Sequence, residues 1–207
     1  MRLMKYNLRA ALWLCFVIFI VFLLQVFIEG LTDYFILDTG TVSFKPYTLI
    51  SAIFLHSGIP HLLYNLFGLA LFGSILEHVI GSKKFLILFF IAGLAASLIS
   101  IPFYTRVLGA SGAIFGILGM LGILRPKLTI WVYSMPMPMI MALFVWGAGD
   151  VLGIFAPTDT ANIAHLTGLG VGIIAGVYYR KDFAEKKIKE KEVFIEENKV
   201  KEWEKSF

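Results

Sequence analysis

Charge is what most of this chain lacks. Only 15% of its 207 residues are charged, and residues 180–207 hold nine of the 18 Lys+Arg and eight of the 14 Asp+Glu. The first 179 residues therefore carry just 15 charges. Such a body cannot cover itself with polar surface, which excludes a soluble enzyme. Cysteine is nearly absent as well. The single Cys15 lies inside an apolar run, so no intramolecular disulfide can form and no thiolate cluster can hold a metal. A secreted disulfide scaffold is excluded with them. The net charge of +4 sits beside hydrophobic runs or is mixed with acids in the tail, so nucleic acid is not expected as a partner.

What the chain has instead is apolar length. Apolar residues plus glycine make up about 63%, against roughly 45–50% in soluble domains. A spanning helix needs about 20 such residues, because hydrocarbon offers no partner for backbone polar groups. Six segments are expected to span: Ala11–Ile28, His61–Ile80, Phe85–Ile101, Ala110–Leu124, Leu128–Trp146 and Ala161–Tyr179. The first lacks a small-residue cleavage site before Glu29 and reads as a retained helix rather than a signal peptide. The fourth is short, so its start is expected below the membrane surface. Basic residues (Arg2, Lys5, Arg9, Lys83, Lys84, Arg125, Lys127, Arg180 and Lys181) collect on one side, which predicts cytoplasmic termini. The other side holds Lys45 and Arg106 among acids that include Asp150.

The expected organisation is a basic N-terminus over 1–10, a six-helix membrane domain over 11–179 and a charged cytoplasmic tail over 180–207. In the tail, Val193, Val200, Trp203 and Phe207 recur near one helical face, suited either to the membrane surface or to a solvated helix.

Polar residues inside spans are costly and are functional candidates by default. They are His61, Asn65, Glu77 and His78 in the second span, Ser111 at the start of the fourth and His165 in the sixth. His61 and Asn65, four apart, share a helix face. Gly112 and Gly116 follow Ser111, and Gly168, Gly172 and Gly176 follow His165, at spacings that let two backbones approach closely. That packing would bring Ser111 to His165 and leave Phe115 placed to stack on the imidazole. Ser111 also heads a helix, whose unpaired N–H groups and dipole favour a developing negative charge. A serine, a histidine and side-chain donors are the parts that acyl transfer requires. No third-member aspartate is expected near them, so packing alone would orient the histidine.

The stretches FLHSGIPHLLYN (Phe54 to Asn65), GASGAIFG (Gly109 to Gly116) and AHLTGLGVG (Ala164 to Gly172), each on a different span, resemble the rhomboid intramembrane serine proteases. The resemblance covers roughly Ala11 to Tyr179. It implies an all-α six-transmembrane-helix rhomboid-like bundle, with Ser111 as nucleophile and His165 as general base in a dyad. It further implies that His61, Asn65 and the Ser111 N–H hold the oxyanion, and that His56 and Glu77 are structural. Substrates would be membrane proteins, cut in or beside a transmembrane helix near the extracytoplasmic face of a prokaryotic cell membrane, with no cofactor and no metal. One departure concerns loop one, about Gly30 to Lys45, which is short. Where many bacterial relatives carry a Trp-Arg pair, this chain has Tyr47-Thr48.

Three competing readings are weaker. Trp146 to Asp150 contains GxGD, the string of intramembrane aspartyl proteases, but the second membrane-embedded aspartate that such chemistry needs is missing. HExxH is absent, and the histidine pairs lack a carboxylate at ligand spacing. The alternative function is a catalytically inactive, client-binding relative, which would be expected to have lost Ser111 or His165.

Overall fold

The computed structural model describes residues 10–132, 134–156 and 160–204, with side chains as far as Glu185. The N-terminal basic residues and the side chains of Val193, Val200, Trp203 and Phe207 lie outside the described residues. The first helix, α1 (Ala10–Phe27), is an almost unbroken apolar run. Its opening N–H groups have no partner within the helix. The carboxylate of Glu77 supplies one, accepting from Ala10 N at 3.0 Å and Ala11 N at 2.9 Å. The same carboxylate accepts from Ser82 Oγ, so one buried acid ties three helices at one end of the bundle.

Loop one is short but ordered. It contains α2 (Leu31–Phe35), strand β1 (Leu37–Asp38) and α3 (Thr48–Ser51), which runs into a 3-10 turn at Ala52–Phe54. A 22-residue helical run follows, made of α4 (Ile59–Gly68), a π segment at Leu69–Gly73 and α5 (Ser74–Ile80). Next come α6 (Ser82–Ser100) and strand β2 (Arg106–Val107). β2 pairs with β1, Leu37 opposite Val107 and Asp38 opposite Arg106, and an exposed Arg106–Asp33 ion pair lies beside them. Loop one therefore grips the segment that leads into α7 (Ser111–Leu124).

α7 is the centre of the molecule, with 11 of its 14 residues buried. At 1.5 Å per residue it is about 21 Å long, short of the roughly 30 Å hydrocarbon layer. Burial on all sides explains its glycines. A Cβ on Gly112 would lie 2.5 Å from Ala96 Cβ on α6 and 3.4 Å from Ala164 O, and one on Gly116 would lie 2.4 Å from Ala92 Cβ and 3.3 Å from Gly168 O. The helix is thus clamped between α6 and α9 (Asn162–Glu204) with no room for side chains.

The expected fifth span, Leu128–Trp146, is displaced. Residues from Thr129 form a hairpin, β3 (Thr129–Val132) with β4 (Met135–Pro138), and helix α8 covers Met139–Ile154. Pro136 and Pro138 account for this, since proline lacks the helical N–H donor and holds the preceding residue extended. Apolarity alone did not distinguish this edge strand from a helix. Beyond Tyr179 the helix continues without a break, α9 running from Asn162 to Glu204.

Among the described residues three helices, Ala10–Phe27, Ile59–Ile80 and Ser82–Ser100, are long and apolar enough to cross a membrane, while α7 and α8 are shorter apolar helices. The outer surface agrees with that setting. Trp13, Phe27, Phe144, Leu152 and Phe155 project as large exposed apolar side chains, an area that water would not tolerate without a covering phase.

The closest backbone approach gives a sharp test. A Cβ on Gly168 would sit 1.8 Å from Gly112 O, an immovable backbone atom, whereas one on Gly170 meets nothing within 4 Å. Gly168→Ala should lower stability in detergent by about 1–3 kcal/mol or more, read as a fall in the thermal midpoint. Gly170→Ala should stay within about 0.5 kcal/mol of wild type, and equal midpoints for the two variants would refute the packing.

Candidate active site

Ser111 is the first residue of α7, preceded by Ala110, which makes no side-chain cap. The first bond of the helical ladder joins Ile114 N to Ala110 O at 3.0 Å. The N–H groups of Ser111, Gly112 and Ala113 therefore precede the ladder and remain open to an anion. The approach to this turn is pinned: Gly109 N donates to Ala52 O at 2.9 Å, and Gly109 adopts φ 116°, where a side chain would be strained. A side chain there would also collide with the site. Its Cβ would lie 2.9 Å from His61 Nε2 and 3.9 Å from Ser111 Oγ, so glycine leaves room for the imidazole edge to face the serine turn.

His61 stands in the first turn of α4 after Pro60. Its Nδ1 lies 3.1 Å from Ser57 Oγ and receives a long 3.4 Å contact from Ser57 N–H. A backbone N–H can only donate, so Nδ1 is the accepting nitrogen and Nε2 carries the proton. His61 thus presents a donor on the edge that faces Gly109. One turn later, buried Asn65 donates one amide hydrogen to His61 O at 2.8 Å and keeps a second.

His165 lies in the first turn of α9. The glycine contacts set its neighbour Ala164 against Gly112, the residue after Ser111: a Cβ on Gly112 would lie 3.4 Å from Ala164 O. The imidazole stacks on Phe115, with ring centroids 4.3 Å apart and planes 10° from parallel. Gly116 and Gly172 extend the same close approach one turn further.

One expectation fails. Asp150, placed by the sequence in an external loop and weighed only as part of GxGD, is a buried residue of α8 whose Oδ1 lies 3.0 Å from His165 Nδ1. The histidine is therefore not oriented by packing alone. The misplaced fifth span hid this contact, because ending that span at Trp146 put Asp150 outside it. A lone carboxylate within the apolar run Val145–Phe155 was the available signal. Gln25 was also overlooked. Its amide accepts from His56 N at 3.0 Å and donates to His56 O at 3.2 Å, tying α1 to the loop that carries Ser57 toward His61.

The fold and site together define a helical membrane protein in which a serine-headed buried helix is packed against a histidine-bearing one. The sequence model of the rhomboid domain matches residues 43–182. The chain belongs to the rhomboid family. It is similar to RHOMBOID-like protein 6, mitochondrial, of Arabidopsis thaliana, 33% identical over 136 residues, which are 64% of this chain and 43% of that protein. It is similar also to Rhomboid protein 1, mitochondrial, of Saccharomyces cerevisiae, 32% identical over 164 residues, 73% of this chain and 46% of that protein. With the Rhomboid protease GlpG of Haemophilus influenzae it shares 33% identity over 134 residues, 61% of this chain and 66% of that protein. The chain thus spans less than half of the first two relatives.

Beside the site, burial lowers the pKa of His56 to about 4, with a further contribution from His61, whose ring centroid is 5.0 Å away. The unfolded chain binds this proton from about pH 6.5 downward and the folded chain only near 4. Stability is therefore expected to fall as pH drops through that window. The difference in thermal midpoint between wild type and His56→Gln, followed from pH 7 to pH 4, should shrink with acidification; a constant difference would contradict the buried neutral ring.

Proposed function

We propose that the protein is an intramembrane serine endopeptidase that cleaves membrane-protein substrates through Ser111 and His165. The observation that carries this reading is the seating of Ser111 at the open N-terminus of α7 beside α9, with His61 Nε2 and Ser111 Oγ both within 4 Å of one point over Gly109. His165 takes the hydroxyl proton as Ser111 Oγ attacks the scissile carbonyl. The oxyanion is held by His61 Nε2–H, the free Asn65 amide hydrogen and the N–H groups of the first α7 turn. His165 passes its proton to the leaving amine, and water then releases the acyl group by the reverse roles.

Water and substrate reach the site from the end of the bundle where loop one and the β2 segment lie, taken as extracytoplasmic with both termini cytoplasmic and six crossings in all. Because α7 is shorter than the bilayer is thick, its serine end lies in a depression open to water. A substrate helix must unwind locally before its carbonyl is exposed, which favours segments with helix-weakening residues and, by resemblance, a small residue before the cut. The host membrane need not be that of a prokaryotic cell, since two of the relatives bear mitochondrial names.

Cleavage of a model transmembrane substrate in liposomes tests the reading. Ser111→Ala should abolish product, and equal cleavage by wild type and variant would sink the assignment. Asn65→Ala should slow the reaction on the order of 10–1000-fold, as expected for one of several oxyanion donors, and a full rate would remove Asn65 from that role. Chelators should leave the rate unchanged.

A further inference from the structure

We infer that Asp150 is a positioning residue that sets the tautomer and orientation of His165, extending the dyad into a chain of three residues borne by α7, α9 and α8. The inference rests on the protease reading above. Three observations support it. Asp150 is the sole ionisable residue of α8, and its side chain is 8% exposed. A carboxylate in such a segment is expensive to bury. Its Oδ1 meets His165 Nδ1 at 3.0 Å, and its Oδ2 is buried without a hydrogen-bond partner among the described residues. His165 is thus the contact that compensates the acid.

A carboxylate oxygen accepts and cannot donate, so the shared proton sits on Nδ1. Nε2 is then left with a free lone pair, the form a general base requires. The ring is fixed twice, on its face by Phe115 and on its Nδ1 edge by Asp150. Either contact alone would leave a rotation open: stacking tolerates a turn within the ring plane, and one hydrogen bond tolerates a twist about its axis.

The bland alternative is that Asp150 merely ties α8 to α9. That tie already exists elsewhere. The Asn162 side chain seats directly over Gly153, where a Cβ would come within 2.6 Å of Asn162 Oδ1. Gly153 is three residues after Asp150 and Asn162 is three before His165, so the two helices meet at that point without the Asp150–His165 hydrogen bond.

The test uses the full chain. With [15N]histidine in detergent-solubilised protein, the ring nitrogens of the four histidines are resolved by NMR near neutral pH, His165 being identified by its loss in His165→Ala. In the neutral form of the wild-type His165 ring the proton is expected on Nδ1, and a neutral ring protonated on Nε2 instead would overturn the inference whether or not any variant folds. In cleavage assays Asp150→Asn should lower kcat by about tenfold or more, since its amide can donate to Nδ1 and reverse the tautomer; loss of the orienting aspartate costs soluble serine proteases up to about 10⁴-fold. KM and the thermal midpoint should stay close to wild type. An unchanged kcat, or a loss of rate matched by a lowered midpoint and raised KM, would overturn it. Failure of the protease reading looks different: Ser111→Ala would cleave as well as wild type while the His165 tautomer remained as stated.

Discussion

The structure depends on one contact, the backbone approach of α7 to α9. Carbonyls of Gly112 and Gly116 occupy the places where side chains of Gly168 and Gly172 would be. In hydrocarbon no hydrophobic force drives helices together, so dispersion at this distance and the exclusion of lipid must hold the pair. From it follow the burial of α7, its narrow fit against Ala92 and Ala96, and the meeting of two helix starts that carry Ser111 and His165.

Around this axis the remaining elements act as orienting supports. Glu77 secures the start of α1 and joins it to Ser82 at the head of α6. Gln25, near the far end of α1, holds both backbone groups of His56 and so steadies the turn whose Ser57 sets the His61 tautomer. Loop one pairs with β2 just ahead of Gly109 and Ser111. Among the described residues, buried polar side chains are few, and Glu77 sits where a helix start needs direction. Asp150 fits the same pattern. Its cost in an apolar wall is offset by the nitrogen it faces.

Much of this was legible in one dimension because lipid simplifies the code. Where almost every position is apolar, a histidine, an asparagine or a small-residue face is conspicuous, and Ser111, His61, Asn65, His165 and the glycines could be picked out by their rarity and spacing. The stack of Phe115 on His165 follows from the register of two helices once their glycines meet. What misled was the same uniformity. Between Leu128 and Ile154 hydropathy does not distinguish a strand from a helix, and the decisive signal lay in Pro136 and Pro138. Reading past them set the fifth helix eleven residues early at its start and eight early at its end, and Asp150 was carried out of the core with it.

By itself the sequence determined the class of protein, the sparse set of polar candidates and the helix faces that must touch, because these rest on composition and on the 3.6-residue period. Only the tertiary structure decided which side chain faces which. It turned Asp150 inward to His165 Nδ1, set Ser57 against His61, and gave Gln25 the backbone of His56. These partners lie 15, four and 31 residues apart, and the two that link separate elements, α8 to α9 and α1 to the loop before α4, arise from tertiary packing that no local pattern records.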